Sequence, residues 1–186
     1  MLHRKLTGFL VGILVVSVAG AAIAGIPDPN TSFAEVGVTG AAVWNLPNGQ
    51  GNGFDEAGDG AGGEVDATIT LYLRDANDDP VVGYPFEDLW LETSGGGLVA
   101  CASGTTADFS TDAMGMTEWQ NPMFAGGQSP GETVNVYIAG TALNHPGLDV
   151  LFNSADISGD LFVNLADVTL FAEDYINQTG AFKSDF

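Results

Sequence analysis

Val65-Asp66-Ala67-Thr68-Ile69-Thr70-Leu71-Tyr72-Leu73-Arg74 places an apolar residue at every second position. Side chains of an extended strand point alternately to its two faces, so Val65, Ala67, Ile69, Leu71 and Leu73 fall on one face and Asp66, Thr68, Thr70, Tyr72 and Arg74 on the other. The stretch predicts a strand with one face in a core and one in solvent. Asp75-Ala76-Asn77-Asp78-Asp79-Pro80 ends it as a turn, after which Val81-Val82-Gly83-Tyr84-Pro85 resumes extended chain.

Further strands follow at short intervals: Leu89 to Thr93, Leu98 to Cys101 after three glycines, Met116 to Trp119, and Val134 to Ala139. Short strands separated by turn signals predict a β-sandwich. The apolar phase of each strand puts Ile69, Leu71, Leu73, Leu89, Leu91, Val134, Val136 and Ile138 inside. Trp90 and Trp119 fit either a core or an exposed position, with the core favoured for rings of this size. Leu73-Arg74-Asp75-Ala76-Asn77-Asp78-Asp79-Pro80-Val81-Val82-Gly83, with Thr111-Asp112-Ala113-Met114-Gly115-Met116-Thr117 further on, resembles the immunoglobulin-like repeats of bacterial surface adhesins of the invasin and intimin type. That resemblance covers roughly residues 65–140 and implies an immunoglobulin-like sandwich; the domain is placed at residues 65–152, with 41–46 as an alternative source of its first strand.

Upstream, residues 25–64 read as a leader rich in Pro, Asn and Ser, a first strand around Ala41 to Leu46, and a glycine-rich loop from Asn48 to Gly63 with too few apolar groups to fold alone. The N-terminus carries His3, Arg4 and Lys5, an apolar run from Phe9 to Ala19, and Ala22-Ile23-Ala24 before Gly25. This is the pattern of a secretory signal peptide, residues 1–24, cleaved after a small-x-small site. Removal leaves Arg74 and Lys183 against 24 acidic residues, in a chain whose formal net charge is already −20. Such an acidic surface excludes nucleic acid and anionic membrane as partners and suits a secreted, extracellular or cell-surface protein. Cys101 is the single cysteine, so no intramolecular disulfide forms; it is read as a small buried hydrophobe, with an intermolecular bridge as the alternative.

After the sandwich, Asp156-Ile157-Ser158-Gly159-Asp160-Leu161-Phe162-Val163-Asn164-Leu165-Ala166-Asp167 sets oxygen-bearing side chains at the first, third, fifth, ninth and twelfth positions. A hard cation such as Ca2+ takes six to eight oxygens, and a short loop wraps it when alternate side chains turn inward and one backbone carbonyl fills the gap. The spacing predicts a calcium site of Asp156, Ser158, Asp160, the Phe162 carbonyl, Asn164 and Asp167, with Val163 buried behind it. Asp167 also begins a helix running to about Ile176, with Val168, Phe171, Ala172 and Tyr175 on one face. Without a metal, the same residues read as a turn capping that helix, with Asp167 as N-cap.

The segment before the loop, Leu148 to Asn153, is short and β-prone, so the entering helix of an EF-hand is missing. A calcium loop entered from extended chain and left by one helix resembles the repeat of a dockerin, the module that docks onto cohesin domains in secreted bacterial assemblies. The resemblance covers Asn153 to Ile176 and implies calcium binding and a cohesin-like protein partner. Leu161 stands where that family has Gly, which places a side chain at positive φ. Dockerins carry two repeats; here residues 153–186 hold one complete repeat, and Asp185 sits where a second loop would begin.

An enzyme is the least supported class. The histidines are His3, in the signal, and His145, in a turn; Glu87, Asp88 and Glu92 read as solvent-facing carboxylates rather than an acid/base pair. Two functions remain: an exported β-sandwich carrying a dockerin-like attachment module, or a structural subunit of an extracellular filament or surface layer in which copies pair and calcium stiffens the joint.

Overall fold

The computed structural model describes residues 25–177. The signal segment, residues 1–24, and the segment after the helix, including Asp185, lie outside the described residues. Over the described residues the protein is mainly β, with several sheets and one α-helix. Strand β5, Ile69–Tyr72, lies between β1, Phe33–Val36, and β8, Met116–Trp119, and pairs antiparallel with both. Strand β10, Val134–Ile138, runs antiparallel between β6, Leu89–Thr93, and the two-residue β11, Thr141–Ala142.

A further sheet has the order β12, β2, β3, β4, comprising Val150–Ser154, Ala41–Asn45, Ala57–Gly58 and Glu64–Val65. Here β12 and β2 pair in parallel, Val150 opposite Ala41 and Ser154 opposite Asn45. Strands β7, Leu98–Ala100, and β9, Ala125–Gly127, form an antiparallel ribbon. Beyond β9, the Ser129 N–H donates to the Phe152 carbonyl, which ties the ribbon to the outer edge of β12.

Alternation does what it predicted for burial. Ile69, Leu71, Leu73, Leu89, Leu91, Val134, Val136 and Ile138 all sit in one buried cluster shared by the sheets. Trp119 joins that core and donates its indole N–H to the Thr105 carbonyl, whereas Trp90 is half-buried and stacks on Tyr137 across the β6–β10 pair. Cys101 is half-buried too, its thiol 3.4 Å from the Pro47 carbonyl.

Two expectations need correction. The stretch Val65 to Arg74 is not one strand: Asp66 accepts the Thr68 N–H, and the chain kinks between β4 and β5 while Ala67 stays buried. The leader is part of the fold, since β1 pairs with β5 along its whole length. The glycine-rich loop also contributes to the core through Phe54 and Ala57, both fully buried. Phe54 is fixed by backbone bonds to Gln120 and Ala67 and meets Phe152 edge-on at 6.0 Å. A segment too poor in apolar groups to fold alone is thus held by two residues inserted into someone else's core.

Candidate metal centre

Strand β12 delivers the chain directly into the loop. Val150, Phe152, Ser154 and Asp156 are all buried, so the inward phase of the strand continues one residue pair past its end and carries Asp156 inside. The Asp156 carbonyl accepts the Gly127 N–H at 2.7 Å, which pins the start of the loop to β9.

A carboxylate taken out of water needs hydrogen-bond donors around it. Asp156 has them from its own loop: Oδ1 accepts the N–H groups of Gly159 at 2.9 Å and Asp160 at 3.2 Å and the Ser158 hydroxyl at 3.3 Å, while Oδ2 accepts the Leu161 N–H at 2.9 Å. The loop therefore turns around this one side chain. The turn needs left-handed backbone at Gly159, φ 71°, and at Leu161, φ 68°. Leucine at that conformation costs about 1–2 kcal/mol.

The other expected ligands close the circuit. Ser158 donates its N–H to Asp167 Oδ1 at 2.9 Å, and Asn164 donates its N–H to Asp167 Oδ2 at 2.8 Å. The Asn164 amide nitrogen sits between Asp160 Oδ2, at 3.2 Å, and the Phe162 carbonyl, at 3.1 Å. All six residues expected from the spacing are thus joined in one hydrogen-bonded ring. Burial raises the Asp167 pKa, but the Asn164 and Ser158 N–H groups outweigh it and hold the carboxyl below its usual value.

Helix α1, Leu165–Asn177, starts two residues earlier than expected. Asn164 is its N-cap: Oδ1 accepts the Ala166 N–H at 2.8 Å, while Asp167, three residues on, accepts the Asn164 N–H. The Asn164 side chain takes the second helical N–H rather than that of Asp167, so only the return half of a capping box forms, and Asp167 stands at the third helical position rather than at the cap. Val163 is exposed, not buried. Together with Val168 and Phe171 it lines a shallow, largely apolar groove of roughly 240 Å3 that Trp44 and Ile157 complete.

Among the described residues, no three His, Cys, Asp or Glu side chains are grouped so as to hold a metal ion. The loop's carboxylates face N–H donors instead of one another. The donor set is nonetheless all oxygen and includes three carboxylates, which suits a hard cation, and Asp160 Oδ2 and the Phe162 carbonyl already converge on a donor group. Glu87, Asp88 and Glu92 are exposed on and beside β6.

One residue of this centre was not foreseen. Gly126 lies against Asp156, and a Cβ there would overlap Asp156 Oδ2. Only the tertiary contact reveals it, because nothing in the local sequence around Ala125-Gly126-Gly127 distinguishes it from a turn glycine.

No protein-family model matches the chain, and no curated protein does. Among solved structures, the crystal structure of the Lin-41 filamin domain is similar to 67% of this chain and 95% of its own, with a TM-score of 0.34 and 15% identity. No helix among the described residues is long and apolar enough to cross a membrane.

Proposed function

We propose that this is an exported, non-enzymatic protein in which an immunoglobulin-like β-sandwich carries a dockerin-like calcium loop and helix for attachment to a protein partner of cohesin type. The observation that carries the reading is the hydrogen-bonded ring linking Asp156, Ser158, Asp160, Phe162, Asn164 and Asp167. Ca2+ bound by these oxygens would offset the repulsion among three carboxylates held in one short loop. Its binding would stiffen the turn that starts α1, and so fix the helix relative to β12.

Attachment is supported by α1, on which Val168, Phe171, Tyr175 and Ile176 are exposed. Apolar side chains clustered on one helix face mark an interaction surface. Secretion rests on the signal pattern of residues 1–24 and the acidic composition, which disfavours nucleic acid and anionic membranes.

Sedimentation of the purified chain in calcium and in EGTA tests the role. A species that stays monomeric in both supports attachment to another protein. Large assemblies forming in calcium without any partner favour the alternative, a structural subunit of a filament or surface layer.

A further inference from the structure

The hairpin from β6 to β7 opens instead of closing. One edge of β6 pairs with β10, and its other edge bonds to the 105–107 segment through Leu91 N–H to the Thr105 carbonyl and Ala107 N–H to the Leu89 carbonyl, both at 3.0 Å. Strand β7 turns away to pair with β9. The strands part after Thr93, whose hydroxyl still accepts the Leu98 N–H. Between them lies an open groove of roughly 610 Å3, lined among others by Glu87, Trp90, Glu92, Ala100, Ser103 and Thr106. That size is within the range of small-molecule sites, about 300–1,000 Å3.

Trp90 is held rigidly at this groove. Its ring lies nearly parallel to Tyr137, 10° between planes and 5.6 Å between centroids, and its indole N–H donates to Glu92 Oε1 at 2.8 Å. Tyr137 does not line the groove, so the part of Trp90 that faces it is the part Tyr137 leaves uncovered. An aromatic surface immobilised before a ligand arrives costs little ordering entropy on binding. The polar side chains that line it are hydroxyls, the Cys101 thiol and two exposed carboxylates, beside the apolar Leu91, Leu98, Val99 and Ala100, with no Lys or Arg.

We propose that this groove binds a neutral saccharide. A sugar ring presents a flat C–H face, which packs on the indole surface, and a rim of hydroxyls, which hydrogen-bond to carboxylate and hydroxyl side chains. The carboxylates, on a chain of formal net charge −20, exclude uronate or sulfated glycans. None of the six calcium-ring residues lines the groove, so failure to bind a saccharide leaves the attachment reading untouched.

The test is titration of the full chain, labelled with nitrogen-15, with cellohexaose, xylohexaose, mannohexaose and chitohexaose in turn, following the Trp90 indole N–H resonance, which is assigned by its absence in Trp90→Phe. At least one sugar is expected to shift that resonance saturably below about 10 mM. Trp90→Ala, and Ala100→Arg, which fills the groove from an exposed position, are each expected to weaken binding more than tenfold with the melting temperature retained. If Trp90→Ala does not fold, Ala100→Arg decides. No shift with any of the four sugars, unchanged affinity in the folded variants, or perturbation of the site by polygalacturonate or spermine instead of a neutral sugar overturns the proposal.

Discussion

The backbone carbonyl of Asp156 accepts the N–H of Gly127 at 2.7 Å, joining the first residue of the loop to a strand far back in the chain. With Val150, Phe152 and Ser154 buried on β12 just before it, no flexible linker separates the sheets from the loop. Limited proteolysis in calcium should therefore spare the bonds between Phe152 and Asp156. Early cleavage there would show that the loop moves independently.

Gly126→Ala should weaken calcium binding at least tenfold while leaving the β fold intact. The added methyl displaces Asp156 Oδ2, which is otherwise fixed by the Leu161 N–H. Calorimetry on the variant checks this, and wild-type affinity would mean that the carboxylate shifts at no cost.

Leu71 is fully buried at the middle of β5, between β1 and β8. Leu71→Ala should cost roughly 2–5 kcal/mol through lost burial and the cavity left behind. A urea melt showing a loss below about 0.5 kcal/mol would contradict its place in the core.

Asp75 Oδ1 accepts the N–H groups of Asn77 at 2.8 Å and Asp79 at 3.0 Å, and these bonds lower its pKa. A carboxyl with a depressed folded-state pKa stabilises the fold above its unfolded pKa, about 3.9, and loses that contribution as pH falls through the folded value. Wild type should melt above Asp75→Asn by a constant margin at pH 5 and higher, and the margin should shrink as pH drops below about 4. Comparing the two proteins cancels the relief of overall negative charge. A margin that widens on acidification would reverse the sign.

Period-two alternation was a sound guide to which side chains are inside, because burial of Ile69, Leu71 and Leu73 depends only on strand phase. It could not show that Asp66 would capture the Thr68 N–H and break the strand, nor that Phe33–Val36 would find β5 as a partner. Pairing partners distant in sequence leave no local signature, and the parallel β2–β12 pair is a further instance. The local spacing did pick out the six residues that hydrogen bonds join in the loop. The helix start was misplaced by two residues because Asn164 and Asp167 share the capping between them, and Gly126 stayed hidden because its neighbour Asp156 is close only after folding.

Isothermal titration of calcium into the full chain, paired with helix signal by circular dichroism, tests the central claim most directly. The predicted result is one site tighter than about 1 mM, the weak end of extracellular calcium modules. Asp156→Ala combined with Asp160→Ala should remove that site and any calcium-induced gain in helix, with the melting of the β domain preserved. A wild-type titration with no site tighter than about 1 mM would contradict both the metal assignment and the attachment role that depends on it.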